Sequence, residues 1–123
     1  TKIGLIFNTD PHNKSGAHWI SMFIDVKKKY ILFFDSVGDK PPNQVNKLLD
    51  RIKEQGKQLN IDFNVFINKK SNQRGDTECG IYSLFIIIEL LEGKKTPEYF
   101  LHNRIPDKEM EILRKKYFNE TSV

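Results

Sequence analysis

Two hydrophobic periods alternate along this chain, and each change of period marks an element boundary. Lys2-Ile-Gly-Leu-Ile-Phe7 is a short apolar run and predicts a buried strand. The polar stretch from Asn8 to Gly16, full of turn formers, predicts a loop. Beyond it the period becomes two. Ile20, Met22, Ile24 and Val26 fall on one side, with Trp19, Ser21, Phe23 and Asp25 on the other, which predicts a strand with one strongly apolar face. Lys27-Lys28-Lys29 makes a polar turn into a second strand, Tyr30 to Phe34. The pair reads as a hairpin with Asp35 at the exit.

The period then lengthens. After the break at Asp39-Lys-Pro-Pro42, Val45, Leu48, Leu49 and Ile52 recur at helical spacing, with Gly56 as the expected C-cap. Phe63, Val65 and Ile67 alternate with Asn64 and Asn68, predicting a third core strand. A polar segment from Lys69 to Glu78 leads into Cys79 to Leu91, which is apolar nearly all round. That pattern suits a helix buried centrally rather than an amphipathic surface helix. A last amphipathic helix is expected from about Asp107, with Met110, Leu113 and Tyr117 on its apolar side. There are no internal repeats and no low-complexity segments. The expectation is an α+β domain, residues 1–123, in which a central mixed β-sheet packs against helices and Cys79 opens the buried one.

Composition narrows the class. At 123 residues, 38% hydrophobic and 11% aromatic, the chain has the size and apolar content of one folded domain, not of a disordered segment. No run approaches the ~18 apolar residues that span a bilayer, so no membrane partner is expected. The net charge of +4 is spread over short clusters such as Lys69-Lys70 and Lys94-Lys95, which does not indicate a nucleic-acid surface. Cys79 is the only cysteine, so no intramolecular disulfide can form. His12, His18 and His102 do not stand at ligand spacing with it, and neither a metal nor another cofactor is expected. A lone thiol without a signal peptide suggests a reducing, intracellular setting.

That thiol also carries the most chemistry. A free cysteine is commonly a small buried hydrophobe, but Cys79 stands where a polar loop meets an apolar helix. Unpaired N–H groups and the helix dipole there favour a thiolate. Gly80 follows and permits close approach of a backbone or substrate. His18, taken singly, is a partly exposed residue of a strand edge, and Asp35 a turn carboxylate. Together they stand at the start of one strand and the end of its hairpin partner, 17 residues apart, where their side chains can meet. Gln73, taken singly a loop residue, lies six positions before Cys79. A side-chain amide plus the nucleophile's N–H is the usual donor pair for an acyl oxyanion. Histidine, carboxylate, amide and thiol are the parts of covalent acyl transfer.

Gly16-Ala-His-Trp-Ile20, Phe33-Phe-Asp-Ser36 and Gln73-Arg-Gly-Asp-Thr-Glu-Cys-Gly-Ile-Tyr-Ser83 resemble the His-Trp, Asp-Ser and Gln-x5-Cys-Gly blocks of Ulp1-type and adenovirus-type cysteine peptidases. The resemblance spans about residues 3 to 92 and includes the order His, Asp, Gln, Cys. It implies an Ulp1-like fold, with Cys79 as nucleophile, His18 as general base and then acid, Asp35 as its orienter and Gln73 as oxyanion donor. Trp19 would wall a narrow channel for small, glycine-like residues before the scissile bond, with Gly80 beside it. The chain departs from the family in having Glu78 where Asp usually precedes the cysteine, and in having no second Trp. The loop 73–78 and the tail 104–114 are closer to members encoded by large DNA viruses. The resemblance implies a protein substrate, either a viral polyprotein or a SUMO- or ubiquitin-like conjugate, met in host cytoplasm, nucleus or virion. Family domains are generally longer, so an N-terminal portion is expected to be missing. An acyltransferase and an inactive peptidase-derived binding module are the remaining alternatives.

Overall fold

The computed structural model describes residues 1–9, 18–72 and 79–118. Four strands form one sheet in chain order: β1 (Lys2–Thr9), β2 (His18–Asp25), β3 (Tyr30–Phe34) and β4 (Asn64–Ile67). β1, β2 and β3 run antiparallel, and β4 joins β3 in parallel, so the sheet is mixed as the sequence predicts. A parallel neighbour needs a crossover, and α1 (Asn43–Gln58) supplies it. α2 (Cys79–Leu91), α3 (Pro97–His102) and α4 (Asp107–Phe118) follow. Among the described residues no helix is long and apolar enough to cross a membrane.

The sheet is covered on both faces. Ile20, Met22, Ile24, Ile31 and Phe33 pack with Val45 and Leu49 of α1. Phe23, Tyr30, Leu32 and Phe34 point the other way, onto Ile81, Tyr82, Ile86 and Leu90 of α2, with Phe100, Ile105 and Met110 closing that layer. This corrects the expectation of a single apolar face on β2: Ser21, Phe23 and Asp25 are buried as well. It also accounts for α2 being apolar nearly all round, since it is wedged between the sheet and α4.

Three other expectations change. β1 is a strand, but an edge strand and not a buried one. Among the described residues only β2 pairs with it, and Ile3 and Ile6 are about 40% exposed (41% and 40%). Gly56 does not end α1. The helix runs two residues further to a cap at Leu59, and Asn60 takes the left-handed turn at φ 62°. Gly56 is instead a packing residue, because a Cβ there would lie 2.7 Å from the Phe63 ring and 3.0 Å from the Ile61 carbonyl oxygen. The hydrophobic pattern does not locate α3, which is only six residues long. Its signal was local: Thr96 accepts a hydrogen bond from the Tyr99 N–H as N-cap, Pro97 opens the helix and Glu98 sits in its first turn. His102 closes this helix and is exposed.

Candidate active site

The hairpin register sets the first two groups. Ser21 pairs with Phe34 in the β2–β3 ladder, so Asp35 leaves β3 beside the first turn of residues of β2. His18 is the first residue of β2, and its Nε2 lies 2.8 Å from Asp35 Oδ1. The same Oδ1 accepts from the Val37 N–H at 3.0 Å, and the Asp35 carbonyl accepts from the Gly38 N–H at 2.9 Å. Gly38 permits this tight turn: its φ is +82°, and a Cβ would meet the Lys69 carbonyl oxygen at 2.8 Å. Asp35 is therefore held as a fixed acceptor, buried to 3% exposure.

Cys79 is the first residue of α2, where helix N–H groups lack intrahelical partners. The packing of α2 on the sheet carries its thiol to the end of β2. The Trp19 N–H donates to Cys79 Sγ at 3.4 Å, and His18 makes a side-chain hydrogen bond to the sulfur. Since Nε2 of His18 faces Asp35, the other ring nitrogen, Nδ1, is the one left for sulfur. The imidazole thus stands between carboxylate and thiol. Its hydrogen bond to Asp35, then that to Cys79, outweigh burial and push His18 from 6.5 up to about 9. Burial alone pushes the Cys79 thiol up. The hydrogen bond from His18, those from the Trp19 and Gly80 N–H groups and the imidazolium charge together win, leaving it below its ordinary value. Both shifts favour a thiolate paired with an imidazolium over the neutral pair, and a thiolate is the nucleophilic form of cysteine.

The indole of Trp19 is 39% exposed and lies against Gly80, where a Cβ would sit 3.7 Å from its ring. His18, Trp19, Asp35, Cys79 and Gly80 are thus brought to one end of the sheet. Gln73 lies outside the described residues, as do His12, Asp76 and Glu78. Ser36 is buried in the turn after Asp35, and Tyr82 packs from the central helix, fully buried.

Two residues near the site had no chemical signal of their own in the sequence, Asn68 and Asn72. Both are fully buried. Asn68 Nδ2 donates to the carbonyls of Asp35 (2.9 Å) and Lys70 (3.1 Å), and its Oδ1 accepts from the Lys70 N–H at 3.0 Å. Their one sequence trace was position, Asn68 closing an alternating strand and Asn72 preceding Gln73.

Residues 3–122 match the model of the Ulp1 protease family, C-terminal catalytic domain. The chain is 33% identical over 118 residues to a SUMO-1 cysteine protease of African swine fever virus, covering 94% of this chain and 43% of that protein. A candidate thiol protease of Acanthamoeba polyphaga mimivirus is 29% identical over 117 residues, covering 94% and 38%. The crystal structure of an African swine fever virus protease superposes with a TM-score of 0.85 at 33% identity, over 92% of this chain and 42% of that one. The chain therefore spans about two-fifths of the length of these relatives. With the mixed sheet, the thiol at the head of a buried helix and a family match over nearly its whole length, this chain belongs to the Ulp1 protease family.

Proposed function

We propose that this chain is the catalytic core of a cysteine protease that hydrolyses a peptide or isopeptide bond after a small residue, glycine foremost. The observation that carries this is the double engagement of His18, 2.8 Å from Asp35 through Nε2 and hydrogen-bonded to the Cys79 thiol. In the reaction the Cys79 thiolate attacks the scissile carbonyl carbon and forms a C–S bond. The carbonyl electrons move onto oxygen, where the Cys79 N–H and the side-chain amide of Gln73 stabilise them. His18 gives its proton to the leaving nitrogen as the C–N bond breaks, leaving a thioester and a neutral imidazole. Water then attacks the thioester while His18 takes its proton, and the thiolate departs. Asp35 holds the imidazole in orientation throughout. Trp19 and Gly80 flank the sulfur and form the wall that admits only small residues before the bond. The exposed Trp19 edge is consistent with a surface that a substrate covers.

The substrate is a protein segment. Processing of a polyprotein is our first reading, since the relatives belong to large DNA viruses. Deconjugation of a SUMO- or ubiquitin-like modifier is the second, favoured by the name of the African swine fever virus relative. The lone reduced thiol suits a reducing compartment, either inside a cell or in a virion. The test is turnover of a Gly-Gly-x peptide, together with labelling by modifier C-terminal vinyl sulfones. Wild type should turn over one substrate class and Cys79→Ala neither. Turnover by Cys79→Ala, or a folded wild type whose thiol ignores both probes, would overturn the protease reading. Acetyl-CoA-dependent automodification in its place would point to acyl transfer, and no reaction at all to a binding module.

A further inference from the structure

At the end of the sheet away from Cys79 lies a cavity of about 230 Å³. Lys28 of the β2–β3 turn, Tyr30 of β3 and Phe66 of β4 line it, with Lys95, Pro97 and Glu98 around the start of α3. Tyr30 opens β3 and Asp35 follows its last residue, so five residue steps, about 16 Å of strand, separate the cavity from the catalytic end. Tyr30 is only 6% exposed, its ring packed against Phe23 and edge-on to Phe66. Yet its hydroxyl makes no hydrogen bond among the described residues. Nor is that oxygen sealed from water: the described buried side-chain atoms that lack a partner belong to Ser21 and Arg104. The opening it has is therefore onto the cavity it lines. Burial, and then the charges of Asp25 and Glu98, push the phenol up to about 12, so it stays protonated and can donate.

Two ammonium groups stand with it. Lys28 and Lys95 are in no ion pair among the described residues. Lys95 Nζ lies 4.5 Å from the centroid of the Tyr99 ring, which steadies it without neutralising it. Asp25 is buried and accepts from the Lys28 N–H at 2.9 Å, so Glu98 is the one carboxylate among the lining residues. The cavity thus gathers three donors, two of them charged, against one acid, over an apolar wall of Phe66 and Pro97. An acceptor-only group of one negative charge on a short apolar stem matches that set. We infer that the cavity is a docking site for an acidic segment of a protein partner, an Asp or Glu side chain of which seats between Lys28, Lys95 and the Tyr30 hydroxyl. Lys27 and Lys29 stand exposed beside Lys28, also without ion pairs among the described residues, so a second carboxylate of the same segment has a cation to meet. That favours a segment over a free carboxylate, which engages the cavity alone. A phosphate dianion fits less well, because it doubles the repulsion from Glu98 and meets no arginine fork among the lining residues. The site uses none of the catalytic groups and is independent of the protease reading.

Proton–nitrogen NMR of the isotope-labelled chain at low salt tests this, with the peptide Ac-Gly-Glu-Glu-Gly-amide as probe and Ac-Gly-Gln-Gln-Gly-amide as its uncharged twin. The acidic peptide should shift the amides of residues 28–30, 64–66 and 95–98 saturably, and the twin should bind at least about tenfold more weakly. Tyr30→Phe keeps the buried ring. It should weaken the acidic peptide about tenfold and leave the melting midpoint unchanged, since the hydroxyl bonds no described residue in the free protein. Lys28→Gln with Lys95→Gln should weaken it at least as much, whereas Lys115→Gln with Lys116→Gln, on exposed positions of α4, should leave binding as in wild type. No shift at these amides with millimolar peptide would overturn the site, and so would wild-type binding by Tyr30→Phe. Equal binding of the twin, or equal weakening by the two α4 changes, would overturn it by reducing the attraction to diffuse charge. Glutamate alone binding as tightly as the peptide would overturn the protein segment as occupant. Tighter binding of inorganic phosphate or a single-stranded oligonucleotide at the same amides would overturn the carboxylate.

Discussion

Replacing Asp35 by Asn tests whether a charge, and not merely an acceptor, holds the thiol ionised. The substitution keeps an oxygen for His18 and for the Val37 N–H, which both bond Oδ1 in the native protein. It removes the negative charge behind the strongest influence on His18, now raised from 6.5 to about 9. At pH 7.5 an imidazole of pKa 9 is ~97% protonated, and one returned to its ordinary value is ~9% protonated. The imidazolium is one of the influences that hold the Cys79 thiol low, so the thiolate fraction should fall as the imidazolium does. Cys79 is the only cysteine, so iodoacetamide uptake by the whole protein reads this one group. Followed between pH 5 and 10, Asp35→Asn should alkylate more slowly than wild type at pH 7.5, with the ~tenfold fall in imidazolium as the upper bound of the deficit. It should approach the wild-type rate near pH 10, where a thiol ionises without help. An unchanged rate at pH 7.5 would refute the charge argument. So would a deficit that persists to pH 10, which would mean lost access to the sulfur.

The wild-type pH profile follows from the same two shifts. His18 is raised, so its contribution to stability is fully present below about 6.5 and is lost as pH rises through about 9. Cys79 is lowered, so its contribution is present above the ordinary thiol value and lost as pH falls through its depressed one. Peptide turnover should therefore decline on the alkaline side through about pH 9, as His18 loses the proton it gives the leaving amine. A rate still rising beyond pH 10 would contradict that assignment. Gly56→Ala should destabilise the protein although alanine favours a helix. The gain of up to about 1 kcal/mol is outweighed by overpacking of roughly 1–3 kcal/mol against the Phe63 ring and the Ile61 carbonyl. A thermal melt should show a midpoint several degrees lower, and a raised one would show that Phe63 gives way freely.

What could be read from the sequence divides along a physical line. β2, α1 and α4 carry a period of their own, whereas β3 and α2 are legible as apolar runs of strand and helix length. α2 runs from Cys79 to Leu91 in the structure as in the pattern. The meeting of His18 and Asp35 was also legible, because an antiparallel hairpin fixes who faces whom once its turn is known. β1 reads as a buried strand because an apolar run looks the same whether its second neighbour is a strand or solvent. Gly56 reads as a C-cap because a glycine required by Phe63 seven residues on looks the same as a helix terminator. Asn68 and Asn72 were invisible as site residues, since their partners, Asp35 and Ile105, lie 33 residues away in each case. Long-range pairing of a neutral amide leaves no periodicity, no charge and no motif.

The same geometry explains why so apolar a helix can head a charged site. Burial by itself disfavours the Cys79 thiolate, yet the burial of α2 is what aims its N-terminal N–H groups at the end of β2. Thiolate, imidazolium and carboxylate together carry one net negative charge, facing the positive end of a thirteen-residue helix. In the proposed reaction that negative charge is not created but moved, from Sγ to a carbonyl oxygen a bond length or two away. Both positions face the first turn of α2. The field that lowers the thiol therefore also receives the oxyanion, and the helix need not rearrange between the two states.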